Sequence, residues 1–148
     1  MATHSFIAQE RFDGSFEGVY CHWDGHPTGN GEILMKHDCD PANVAYLFSF
    51  GSMSCLGADI GEQHSFEDQT DGSMTTFYGR DRGETDVGSE RFDTIEDLIL
   101  TALNWECEYI YVQKANGWWF TERTFEYLGM NDGSFFGDLI PLECVVSV

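Results

Sequence analysis

An apolar run, Phe6-Ile7-Ala8, passing into polar Gln9-Glu10-Arg11 makes Ser5–Arg11 a first strand, and Phe16–His22 returns as a second, with Asp13-Gly14 between them. Two strand segments joined through Asp-Gly predict a β-hairpin. In its second strand Phe16, Gly18, Tyr20 and His22 fall on one face, and Glu17, Val19, Cys21 and Trp23 on the other. The period then lengthens. Gly29–His37 reads as a short helix with Ile33, Leu34 and His37 on a common side. Asp40-Pro41 marks the start of a second helix, whose stripe is Val44, Leu47 and Phe48 and whose stop is Gly51. Ser52–Asp59 reads as a tight turn of small residues, Gly61–Gly72 as a polar loop, and Ser73–Tyr78 as a strand. Thr94 caps the clearest helix, with Ile95, Leu98, Ile99, Ala102 and Leu103 as its buried stripe. Glu108–Gln113 and Trp118–Thr124 form a second hairpin around Ala115-Asn116-Gly117. A further turn at Asp132-Gly133 and a terminal strand over Leu142–Val148 complete the expected order. Helices segregated from hairpin-connected strands predict an α+β fold: a mainly antiparallel sheet built from hairpins, with about three helices packed on one face, in one domain over residues 1–148.

Charge changes the picture more than hydrophobicity does. The 148 residues carry 26 Asp and Glu against 7 Lys and Arg, a formal net charge of −19. Such a surface repels phosphate backbones and anionic membranes, so neither direct nucleic-acid binding nor membrane attachment is expected. It suits a basic partner, a nucleic-acid-binding protein among them, and equally serves solubility or a salty habitat. The five cysteines (Cys21, Cys39, Cys55, Cys107 and Cys144) include no CxxC pair, and the first residues lack the basic start and apolar run of a secretory signal. Free thiols in a reducing cytoplasm are the expectation, without a structural zinc site.

Candidate chemistry concentrates in Val19–Gly31, which holds a thiol, two imidazoles, a carboxylate and three glycines. His22 and Asp24, two apart, point the same way if the strand continues; with His26 they offer polar ligands, and Asp81 or Glu84 would complete a metal set. Against this, Asp24 capping its own loop and His22 packing at a strand end account for the same residues, and no metal or other cofactor is assigned. Cys21 and His22 face opposite sides, so no thiol dyad is expected and Cys21 reads as a buried small hydrophobe. The glycines Gly25, Gly29 and Gly31 match no phosphate-loop spacing. Arg80-Asp81-Arg82-Gly83-Glu84 is a basic reversal in an acidic chain. Its arginines either present an anion-binding edge beside the His22–Asp24 loop or, the favoured reading, bridge internally to Asp24 or another acid. Trp23 and Trp119 are candidate exposed aromatic contacts. No residue is assigned a catalytic role.

Two motifs carry a resemblance: Val19-Tyr20-Cys21-His22-Trp23-Asp24-Gly25-x-Pro27-x-Gly29-x-Gly31, and Thr76-Phe77-Tyr78-Gly79-Arg80-Asp81-Arg82-Gly83-Glu84, with Asp40-Pro41-Ala42-x-Val44 and Leu56-Gly57 between them. Together they resemble a family of small acidic, largely uncharacterised proteins of phages, prophages and mobile elements, over roughly residues 14–124. The chain departs from that pattern at His26 and Asn30. The resemblance implies a host-cell cytoplasmic protein that inhibits a nucleic-acid-directed defence system, of the anti-CRISPR or anti-restriction type. It would bind a basic nucleic-acid-binding host protein through nucleic-acid-like charge, as a monomer or weak dimer. The competing expectation is a small enzyme or ligand-binding domain holding an anionic or nucleotide ligand between the His22/Asp24 and Arg80/Arg82 loops.

Overall fold

A computed structural model describes residues 2–66, 74–128 and 131–142. The first hairpin forms as expected. Strand β1 (Ser5–Glu10) pairs antiparallel with β2 (Phe16–Cys21), and Asp13 Oδ1 accepts from Ser15 N at 3.0 Å to close the turn, with Gly14 at φ 88°. A π-helical turn (Pro27–Gly31) leads into α1 (Glu32–His37), so the expected Gly29–His37 helix is a wide turn followed by a short α-helix. Helix α2 (Pro41–Phe48) begins where Asp40 accepts from Ala42 N at 3.0 Å.

The stretch read as a turn over Ser52–Asp59 contains a strand, β3 (Met53–Cys55), which pairs with β2 and with β4 (Thr76–Phe77). Tyr78 does not extend β4 but opens a short helix, α3 (Tyr78–Arg82), that ends at Gly83 with φ 73°. Then follow β5 (Glu90–Phe92), α4 (Ile95–Asn104), β6 (Tyr109–Lys114), β7 (Gly117–Leu128), β8 (Asn131–Phe136) and β9 (Ile140–Pro141). The expected turn at Asp132-Gly133 is corrected: both lie inside β8, opposite Tyr127 and Glu126, because β7 runs on to Leu128. Of the expected strand over Leu142–Val148, residues 143–148 lie outside the described residues, and Leu142 is buried.

Among the described residues the strands run in the order β4-β3-β2-β1-β6-β7-β8, with β5 on β2 and β9 on β7. The β1–β6 and β2–β3 pairs are parallel and the other pairings antiparallel, which gives the α+β fold its mixed sheet. The placement of the helices differs from expectation, for they divide between the two faces. Strand alternation sends Ile7, Val19 and Tyr111 toward α1 and α2, where Leu34, Val44, Leu47 and Phe48 meet them. It sends Phe6, Ala8, Ile110 and Val112 to the other face, onto Leu98 and Ala102 of α4. Central strands that are apolar on both sides require cover on both sides.

Candidate functional site

The loop after β2 is held from within. Asp24 takes a left-handed backbone, φ 57°, and its carbonyl accepts from Asn30 N at 2.8 Å. Gly25 donates to Thr3 O at 2.8 Å, and a Cβ there would lie 2.7 Å from that same oxygen. At Gly29 a Cβ would collide with the Asp24 carbonyl. These two glycines are therefore demanded by close backbone approach. Asn30 is buried and sends its amide to Ser5 Oγ (3.1 Å), Cys21 Sγ (3.3 Å) and Trp23 O (3.1 Å). The departure at Asn30 is thus a structural bolt that ties the loop to β1 and β2.

His22, Asp24 and His26 are not brought together. The His22 ring turns to its own strand and the N-terminal segment: Tyr20 Oη lies 2.9 Å from Nδ1, and the His4 ring centroid is 4.4 Å away. Burial and the neighbouring His4 hold its pKa below the ordinary histidine value. Asp24, its side chain 72% exposed, reaches only His26 Nε2, at 4.0 Å, and His26 Nδ1 lies 3.0 Å from Thr28 Oγ1. Among the described residues no group of three His, Cys, Asp or Glu side chains is placed to hold a metal. Cys21 is fully buried and its thiol is pushed up to about 12, by burial first of all, so it is not a thiolate nucleophile.

The second motif is equally internal. Arg80 uses every guanidinium donor: Nε to Asp81 Oδ1 (2.9 Å), Nη1 to Ile60 O (3.0 Å) and Gly61 O (3.1 Å), Nη2 to Thr75 O (2.8 Å) and Asp81 Oδ2 (3.2 Å). Its plane lies over Phe77, 4.7 Å from the ring centroid. The Asp81 carboxylate, with no side-chain exposure, also accepts from Phe77 N (2.7 Å) and His64 N (3.0 Å). Burial pushes its pKa up, but those hydrogen bonds and Arg80 outweigh it and hold the group below the ordinary carboxylate value. The favoured internal bridge exists, with the acid supplied by the next residue and not by Asp24. Arg82 pairs with Glu84 at the surface, Nε to Oε2 at 2.7 Å, with its guanidinium 4.5 Å from the Phe66 ring centroid. Neither arginine is free to hold an anion beside the His22–Asp24 loop.

The two aromatic candidates differ. Trp23 is 45% exposed. Trp119 is half-buried, donates to Asn116 Oδ1 at 3.0 Å and has Lys114 Nζ 5.3 Å from its ring centroid.

Pattern reading missed a cleft between β2, α3 and the end of α4. Tyr20, Ser52, Tyr78 and Trp105 line it together with Glu84, Asp86, Glu90 and Glu106, around about 520 Å³. Tyr20 and Trp105 meet edge to face, ring centroids 5.9 Å apart. The residues come from five separate stretches of chain, so no local motif could announce them. The left-handed backbone of Asp86 and Glu106, both at φ 59°, leaves no mark in the local pattern either.

Among the described residues no helix is long and apolar enough to cross a membrane. Compared with protein-family models, with curated proteins and with solved structures, the chain gives no match.

Proposed function

We propose that this chain is an acidic inhibitor that occludes the basic, nucleic-acid-binding surface of a host protein, within the defence-system context its two motifs suggest. The observation that carries the reading is the distribution of exposed carboxylates. Glu84, Asp86, Glu90, Asp93, Glu96 and Asp97 follow one another, all exposed, between α3 and the first turn of α4. Glu106 shares the cleft of Glu84, Asp86 and Glu90, and it also lines a second cleft with Glu108 and Glu122. Of the nearby cations, Arg80 is consumed inside the fold and Arg82 is paired with Glu84, while Arg91 stands exposed within the run and Arg123 lines the second cleft, so the acids outnumber them.

Closely set carboxylates imitate the phosphate rows of a duplex, which presents about one charge per 1.7 Å. Such a face would engage the protein's target in the host cytoplasm, and self-repulsion favours a monomer or weak dimer. The ligand-binding alternative has less support, because Arg80 is consumed inside the fold, Arg82 is paired with Glu84, and His22 turns away from Asp24 and His26.

The test is capture from host lysate at low salt, followed by identification, salt elution and competition with duplex DNA. The expected result is a basic nucleic-acid-binding protein that is released steeply by salt and displaced by DNA. A captured partner indifferent to both salt and DNA would overturn charge mimicry.

A further inference from the structure

We propose that the cleft bounded by Tyr20, Tyr78 and Trp105 is a receptor for a single arginine side chain presented by the basic partner. The inference rests on the reading of the acidic face as a partner surface, and narrows it to one anchoring contact.

The cleft is more than a group of acids. Its volume of about 520 Å³ lies within the roughly 300–1,000 Å³ of clefts that hold small ligands. Its aromatic part is built: Trp105, 38% exposed, packs edge-on to Tyr20 and sits 5.7 Å from the Phe6 ring, centroid to centroid. Tyr20 is fixed in turn, its backbone N–H bound to Ser52 Oγ at 3.2 Å and its hydroxyl set against His22. Tyr78 is positioned by its N–H on Ser52 O at 3.2 Å. The aromatic rings are thus held in place before any ligand arrives.

The rim supplies charge of one sign. Glu84, Asp86, Glu90 and Glu106 line the cleft, and no Lys, Arg or His does. Glu84 is occupied by Arg82, whereas among the described residues Asp86, Glu90 and Glu106 have no ion pair.

Aromatic faces beside unpaired carboxylates select a cation that is planar and weakly hydrated. A guanidinium meets both demands, stacking on a ring while its edge donors reach carboxylate oxygens; an ammonium keeps its water more strongly and stacks less well. The chain already places guanidinium groups on aromatic rings, with Arg80 over Phe77 and Arg82 5.4 Å from the Tyr78 ring centroid. A bare metal ion is a poor occupant of so wide a space walled by rings.

The test is NMR titration of the full-length, isotopically labelled chain with two short peptides that differ only in arginine against citrulline, its neutral isostere. The expected result is saturable movement of the Trp105 indole N–H and the Val87 and Gly88 amides with the arginine peptide, and at least tenfold weaker binding of the citrulline peptide. The double variant Asp86→Asn, Glu106→Gln removes two charges while keeping side-chain size and shape, and should weaken the arginine peptide at least tenfold. Trp105→Phe should weaken it severalfold, and unchanged thermal unfolding of both variants separates this from misfolding. Shifts spread evenly over the acidic face, or equal affinity in the double variant, would overturn the receptor. Lysate capture with the same double variant keeps the two readings apart. Undiminished capture of the basic partner would sink the arginine receptor and leave the inhibitor reading standing. Peptide binding without any captured partner would do the reverse.

Discussion

The Tyr111 hydroxyl donates to the Gly25 carbonyl at 2.6 Å, joining the middle of β6 to a loop 86 residues earlier in the chain. Both groups are buried, and Tyr111 has no exposed surface at all. Burial raises the tyrosine's pKa well above its ordinary value, so the hydroxyl keeps its proton and its role as donor. The bond makes the first motif a part of the core and not an attachment to it. Replacing Tyr111 by Phe leaves the Gly25 carbonyl dry and unpaired, an expected loss of about 1–3 kcal/mol. Urea unfolding measures it. Because the loop serves the fold, arginine-peptide binding at the distant cleft should be unchanged in the variant. A loss below about 0.5 kcal/mol would show that water or a neighbour takes over the carbonyl.

The two hairpins, α2 and α4 were legible because each carries a local signal: Asp13-Gly14, Asn116-Gly117, Asp40-Pro41 and the Thr94 cap, whose Oγ1 accepts from Asp97 N at 3.2 Å. The strand β3 and the helix α3 were not legible, since three and five residues are too few to show a period. The division of helices between faces was half visible: adjacent apolar residues such as Phe6-Ile7-Ala8 already ask for cover on both sides of β1. Of the candidate site residues, the chemistry was visible but the partners were not. Arg80 and Asp81 sit side by side in sequence, yet the bond that matters is completed by the carbonyls of Ile60, Gly61 and Thr75, which have no sequence signature. Trp105 and Glu106 look like an ordinary helix end, and become a cleft wall only when β2 and α3 close around them.

The arginines of the second motif should part sharply under substitution. Arg80→Lys keeps the charge but loses the planar fork, so of five donated bonds an ammonium replaces at most three. Carbonyls of Ile60, Gly61 or Thr75 would be stranded, and the expected loss is about 2–3 kcal/mol of stability. Arg82→Ala removes an exposed pair with Glu84 and should cost no more than about 1 kcal/mol. Chemical denaturation of both variants checks the contrast. Equal, small effects would mean that the Arg80 network is dispensable; equal, large ones would mean that Arg82 on Phe66 matters as much as the buried fork.

Asp38 offers a pH-dependent prediction with a definite sign. It ends α1 among buried groups, and its Oδ2 has no hydrogen-bond partner. Its backbone carbonyl serves the fold, accepting from Trp118 Nε1 at 2.9 Å, so the side chain can be changed without disturbing that contact. Burial raises the carboxyl from 3.8 to about 6, a shift that His37 opposes only in part. A raised pKa means that the folded chain holds the proton more tightly than the unfolded one. Between about pH 4 and pH 6 the folded state carries the extra proton, and stability falls as pH rises through that window. Asp38→Asn fixes the neutral form. The variant should match the parent below about pH 4, then gain on it to a plateau on the order of 1–3 kcal/mol above about pH 7. His22, whose pKa is depressed, works in the opposite sense on the acid side, but it is common to both chains and cancels in the difference. Urea unfolding of the pair across pH 4 to 8 makes the measurement. A difference that stays constant with pH would show that the carboxylate finds water or a partner when charged. A difference of the opposite sign would show that His37 favours the charged carboxylate by more than burial penalises it.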